Sequence, residues 1–235
     1  MKQYLSIAQV KGRAREHLLG RYRSCISAFL TIQMVGLLLS SLIGRVCDRS
    51  TMIGWFVFIL LQFLVSLVLG IFESGQYYLY LNVACKRPIL SIFILQGFFT
   101  HPDKAILIRL YLIGCSFVSS LPIILIAALS PTASGEFPTL AIGFSILWLV
   151  FLAWLYSSYG QTLYLLHDFP DHSAAELLRM SRHYMQGHKL RYIRLYLSFI
   201  PLLLLGVLSL GIGFLWVVPY LCTSQAEFFL DLMQE

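Results

Sequence analysis

The sequence predicts an all-α integral membrane protein: six transmembrane helices arranged as three tandem two-span hairpins, each preceded by a cytoplasmic interfacial helix. Three observations carry that prediction. Hydrophobic residues make up 58% of the chain and charged residues 12%, against roughly 45–50% and 25% in ordinary soluble domains. Six segments approach the ~20 apolar residues needed to cross a hydrocarbon core ~30 Å thick. The basic residues gather at alternate ends of those segments.

Residues 1–24 are too charged for a cleavable signal peptide, and 4–19 read as the first interfacial helix. The spans follow at 26–44, 52–72 (helical to about 85), 105–129 and 139–155 (running on to about 166). Residues 190–210 and 214–230 form a close last pair around Gly211-Ile212-Gly213, a helix stop and tight turn. Pro201 and Pro219 interrupt that pair, as membrane helices tolerate when neighbours satisfy the freed carbonyls. Pro219-Tyr220 predicts a kinked packing helix; the competing reading is a broken helix of the kind that marks a transport site.

Fifteen of the 17 Lys and Arg and all six His fall on one side of this arrangement, leaving Arg45 and Arg49 opposite. The positive-inside rule then places both termini in the cytoplasm. The net charge of +6 is a cationic rim facing anionic lipid headgroups, each cation worth ~1 kcal/mol near the surface. Arg179, Arg182, Lys189, Arg191 and Arg194 are the expected headgroup contacts. Nucleic acid is excluded as a partner because no stacking aromatics are interleaved with the basic residues. The five cysteines have no metal-type spacing and lie in or beside apolar segments, so no disulfide framework is expected.

The chain repeats itself. Gly75-Gln76 recurs as Gly160-Gln161, and Ile108-Arg109-Leu110-Tyr111-Leu112 recurs identically as Ile193-Arg194-Leu195-Tyr196-Leu197, both at an offset of 85. Lys104 and Lys189 keep that register. Tyr156…Gly160-Gln161 is echoed by Tyr220…Ser224-Gln225 at an offset of 64, and Arg15…Gly20 by Arg182…Gly187. This reads as one membrane domain, residues 1–235, built from parallel pseudo-repeats 1–84, 85–169 and 170–235. Ser173-x-x-Glu176 is a capping box opening an amphipathic helix that Gly187 ends. Its counterpart, residues 89–99, is more apolar and is expected to be buried against the bundle.

Gly187-His188-Lys189-Leu190, Leu197-Ser198-Phe199-Ile200 and Gly211-Ile212-Gly213-Phe214-Leu215-Trp216-x-x-Pro219-Tyr220 resemble the carboxy-terminal signature of a bacterial membrane family catalogued as domain of unknown function 975. The resemblance is close over residues 156–230 and looser before them. It implies a multi-pass protein of the bacterial plasma membrane and no particular reaction.

A small residue followed by glutamine stands at the inner end of each even-numbered span: Gly75-Gln76, Gly160-Gln161 and Ser224-Gln225. Such pairs serve close helix packing with an interhelical amide bond; alternatively the three glutamines line one cytoplasm-facing cavity. Glu73 and Glu227 lie nearby, and ionisable residues at membrane depth are candidate functional groups or partners of an arginine. Tyr220 completes the candidate binding set of Gln76, Gln161, Gln225 and Glu73. His167-Asp168-Phe169-Pro170-Asp171-His172 matches no standard metal spacing and reads as a loop before a helix. No nucleophile elbow, zincin motif or phosphate loop occurs, so no enzyme activity, cofactor or metal is expected. The expected function is a non-enzymatic organising, sensing or regulatory module at the inner leaflet, with anionic lipid and another membrane protein as partners. The alternative is a small-solute or lipid transporter with a cavity between the repeats.

Overall fold

A computed structural model describes residues 4–129 and 137–234. They form helices α1 (Ile7–Leu18), α2 (Tyr22–Val46), α3 (Met52–Ala84), α4 (Gln96–Phe99), α5 (Pro102–Leu129), α6 (Phe137–Tyr159), α7 (Thr162–Asp168), α8 (Ala174–Tyr184), α9 (Lys189–Leu197), α10 (Ile200–Leu208) and α11 (Phe214–Met233). A 3-10 turn, Ser91–Leu95, precedes α4, and no strand occurs among the described residues. Five stretches are long and apolar enough to cross a membrane: Tyr22–Val46, Met52–Ala84, Pro102–Pro122, Ile142–Asp168 and Lys189–Leu208. This is a membrane protein. The last predicted span, α11, is not among the five; it carries Pro219, Gln225, Glu227 and Asp231, and its second half is buried.

Three local expectations change. The apolar segment at 89–99 is not an interfacial helix but a 3-10 turn and a single α-turn, with Ile94 and Gly97 buried while Leu90, Ile92 and Phe99 are exposed. Its backbone lies directly on α3. A Cβ on Gly75 would come within 1.9 Å of the Ile94 carbonyl oxygen, and one on Gly97 within 2.1 Å of that of Ile71. The helix expected to continue to about residue 166 is interrupted at Gly160-Gln161, between α6 and α7. The interruption by proline falls at Ser198-Phe199, between α9 and α10, because Pro201 has no N–H to give the carbonyl four residues earlier. α11 runs through Pro219 unbroken.

The core sits at one end of the bundle. It takes in Val10, Ala14 and Leu18 of α1, the first turns of α2, the last of α3, the start of α5, α7, and the second half of α11. This is the end that carries α1, α8, the first and last described residues and most of the basic residues. Toward the other end, Leu37, Leu42, Met52, Phe56, Val118, Leu204 and Leu208 are exposed. Such a continuous apolar surface is intolerable in water and natural against lipid tails, which are as apolar as leucine.

α1 and α8 are built alike. Ser6 with Gln9 and Ser173 with Glu176 form capping boxes, and 14 residues after each serine stands a glycine at positive φ, Gly20 at 77° and Gly187 at 80°. Buried positions coincide at an offset of 167: Val10 with Leu177, Ala14 with Ser181, Leu18 with Met185, Cys25 with Tyr192, Ala28 with Leu195, and Ile32 with Phe199. The identical pentapeptides behave differently. Ile108 is buried where Ile193 is half-buried, and Leu195 is buried where Leu110 is exposed.

Candidate functional site

Most of the ionic chemistry lies at the packed end, where it ties the chain's segments together. Arg191 pairs with Asp231 and donates to the Leu5 carbonyl at 2.6 Å, while the Leu5 N–H donates to Asp231 at 3.2 Å. His17 Nδ1 meets Glu227 at 2.6 Å. Lys11 donates to the Ser198 carbonyl at 3.1 Å and lies 4.3 Å over the Phe199 ring, so an amine from α1 caps the break between α9 and α10. Burial, and secondarily Arg15, holds its ammonium pKa below the usual lysine value. Arg21 donates to the carbonyls of Lys86 and Arg87 beyond α3, and Lys104 to that of Pro170.

The five expected headgroup contacts therefore separate. Arg191 turns inward, and Lys189 lies 4.3 Å over the Trp154 ring. Arg179, Arg182 and Arg194 are exposed, with no ion pair or hydrogen bond among the described residues. Arg179 and Arg182, one turn apart on α8, rim a hollow walled by Leu178, Tyr111 and Tyr159, whose hydroxyls are 3.3 Å apart.

The three glutamines do not meet. Gln161 is 1% exposed, and neither its amide oxygen nor its nitrogen is hydrogen-bonded. Gln225 is buried and donates to the Tyr196 hydroxyl. Gln76 lines a cavity. The small residues before them serve packing. Gly75 admits the turn backbone, a Cβ on Gly160 would come 2.8 Å from the Tyr192 hydroxyl, and the Ser224 hydroxyl donates to the Tyr220 carbonyl. Tyr220 stands apart, donating to the Lys11 carbonyl at 3.3 Å and packing on Phe199. His167 contacts the Ser74 carbonyl at 2.8 Å, an interhelical tie between α7 and α3.

Glu73 and Gln76 do converge, one turn apart on α3, on a cavity of about 280 Å³ between α2, α3, α7 and α11. Arg109 holds Glu73 from the opposite side, Nη1 to Oε2 at 2.8 Å. The aliphatic stem of that arginine occupies the space beside Gly70, where a Cβ would come within 2.9 Å of Cγ. Gln33, Tyr77, Tyr80 and Tyr164 also line the wall. Gln33 was legible as a lone amide in an apolar span. The tyrosines were not, since their spacing in α3 and α7 matches ordinary core positions.

A family model described as a protein of unknown function, DUF975, matches residues 5–235. The chain belongs to the DUF975 family. The match runs from the segment before α1 through α11, so the clamp that Leu5 and His17 form with Asp231 and Glu227 lies within the family's extent as much as the Gly211 turn does. No curated protein and no solved structure matches the chain.

Proposed function

We propose that this DUF975 chain is a non-enzymatic organising or regulatory module of the bacterial plasma membrane, with both termini cytoplasmic, acting through its packed end at the anionic inner leaflet. The observation that carries the reading is the division of its cations. Lys11, Arg21, Lys104, Arg109 and Arg191 are spent on internal carbonyls and carboxylates, whereas Arg179, Arg182 and Arg194 are left outward on and after the amphipathic α8. Free guanidinium groups at a membrane interface are suited to lipid phosphates, which they bind bidentately.

The finer architecture is part of the same reading. α2 packs on α3, α5 on α6 and α10 on α11, which supports three hairpins and six crossings with α11 as the sixth. The shared cap, glycine and burial pattern of α1 and α8 supports a repeat relating the first and third units. The transporter alternative loses its central support, because Gln161 and Gln225 are packed into the core instead of lining a shared cavity.

Proteoliposomes test this reading in two ways. Solute flux and lipid scrambling should stay at the protein-free level, and saturable flux of any tested solute would overturn the module. The melting temperature should be higher in bilayers containing phosphatidylglycerol than in phosphatidylcholine alone. Replacing Arg179, Arg182 and Arg194 together with alanine should remove most of that difference. Equal melting of wild type in both bilayers would sink the role of the outward cations.

A further inference from the structure

The cavity beside Glu73 contains polar groups that the protein itself leaves unsatisfied. The Tyr80 side chain is 1% exposed and its hydroxyl has no hydrogen-bond partner. Gln76 reaches toward that hydroxyl without a hydrogen bond of normal geometry. Gln33, also in the wall, is exposed on α2 and unpartnered among the described residues, so the cavity reaches the outer surface of the bundle there. At ~1.5 Å per residue, Gln33 lies about 16 Å along α2 from Tyr22, within a stretch long and apolar enough to cross a membrane. An amide left unpaired in an apolar spanning helix is costly. The same two helices show the usual remedy: Gln62, deeper in α3, accepts a hydrogen bond from Ser40 at 3.2 Å. Gln33 lacks such a partner, Gln76 and Tyr80 have at most each other, and all three face one space.

The geometry points to a binding site for the neutral, hydroxyl-bearing head of a membrane-borne glycerolipid, with Gln33, Gln76, Tyr80 and the cavity side of Glu73 as its hydrogen-bonding groups. Three features select that chemistry. The head is neutral because the Glu73 charge is already matched by Arg109, and no unpaired cation lines the cavity among the described residues. It carries hydroxyls because amides, a phenol and a carboxylate oxygen offer both donors and acceptors. It arrives through the membrane because the wall on either side of Gln33 is apolar, with Phe29 and Ile32 on α2 and Val218 on α11. The volume of about 280 Å³ equals roughly nine waters, room for a glycerol- or hexose-sized head with its acyl chains left in the bilayer. This site is separate from the outward arginines on which the proposed function rests.

The test uses the full chain in detergent micelles, with native mass spectrometry and diacylglycerol, phosphatidylglycerol or phosphatidylcholine as probes. Wild type should retain diacylglycerol saturably at one molecule per chain. Gln76→Leu and Tyr80→Phe should each weaken retention at least fivefold. Gln33→Leu, at an exposed position with no hydrogen bond to the rest of the described chain, should do the same and keeps the test decisive if a buried variant fails to fold. The Arg179→Ala/Arg182→Ala double variant should retain diacylglycerol as wild type does while losing phosphatidylglycerol. Non-saturable retention, or retention unchanged by Gln33→Leu, would mean a water-filled cavity only and overturn the site. Phosphatidylglycerol held equally tightly and lost on Gln33→Leu would overturn the neutral-head assignment.

Discussion

At the residue scale, burial decides which charges matter. The Arg191–Asp231 pair is 18% and 4% exposed, whereas Lys86–Glu16 is 62% and 66% exposed at 3.4 Å. A surface pair of the second kind contributes ~0–1 kcal/mol. Removing one member of a buried pair strands the other and costs about 3–5 kcal/mol. Asp231→Ala should therefore lower the melting temperature sharply and loosen the amino terminus, since Asp231 also accepts from the Leu5 N–H. Glu16→Ala should leave melting almost unchanged. A thermal scan of the two variants in one detergent checks both, and similar melting would contradict the clamp. The same distinction explains why Arg191 and Arg194, three residues apart in a basic stretch, have opposite fates. Their spacing along α9 predicts neither, because the selecting carboxylate is 40 residues downstream of Arg191.

At the element scale, α1 and α8 share a cap and differ in its chemistry. Glu176 closes the box on α8, and hydrogen bonds from Ser173 hold its carboxyl below the usual glutamate range. A depressed pKa adds stability above the unfolded-state value, and that contribution is lost as pH falls through the folded one. Gln9 closes the box on α1 and does not titrate. Acidification from neutral pH through the carboxylate range should therefore fray the first turn of α8 and spare that of α1. Amide exchange at Ala174–Glu176 and Ile7–Gln9, corrected for intrinsic rates, reads this directly, and parallel behaviour of both turns would refute it. Ser173→Ala, which removes the cap at every pH, should cost about 1 kcal/mol. Of the two boxes only Ser173–Glu176 was expected from the sequence, although both halves of each lie within four residues. The collapse of 89–99 into a 3-10 turn was not, because the close approach of Gly97 to Ile71 is a contact between distant segments.

Across the whole molecule, stability is concentrated at the end bearing α1 and α8. Leu177, Leu165 and Leu18 are fully buried there, while Leu208 and Leu210 are exposed at the opposite end. Leu177→Ala should cost about 2–5 kcal/mol, as buried leucine truncations do. Leu208→Ala should cost little, because the side chain has lipid around it before and after folding. Melting curves in one bilayer composition distinguish the two, and equal losses would show that the outer half is packed in a way this core does not describe.

Composition, hydropathy and the one-sided placement of Lys and Arg determined, from sequence alone, a helical membrane protein and the end at which its charges gather. Those properties are local or additive, so they survive being read along a line. Capping boxes and the Gly20 and Gly187 stops are local in the same way. The tertiary structure decided how each polar group is used: Glu73 matched by Arg109, Arg191 drawn to Asp231, Gln225 bonded to Tyr196, Gln161 left without a partner, and Gln76 set beside Tyr80 and Gln33. In an apolar span every glutamine looks alike. What separates a packing amide from a binding one is whether another helix brings it a partner, and that is a property of the fold.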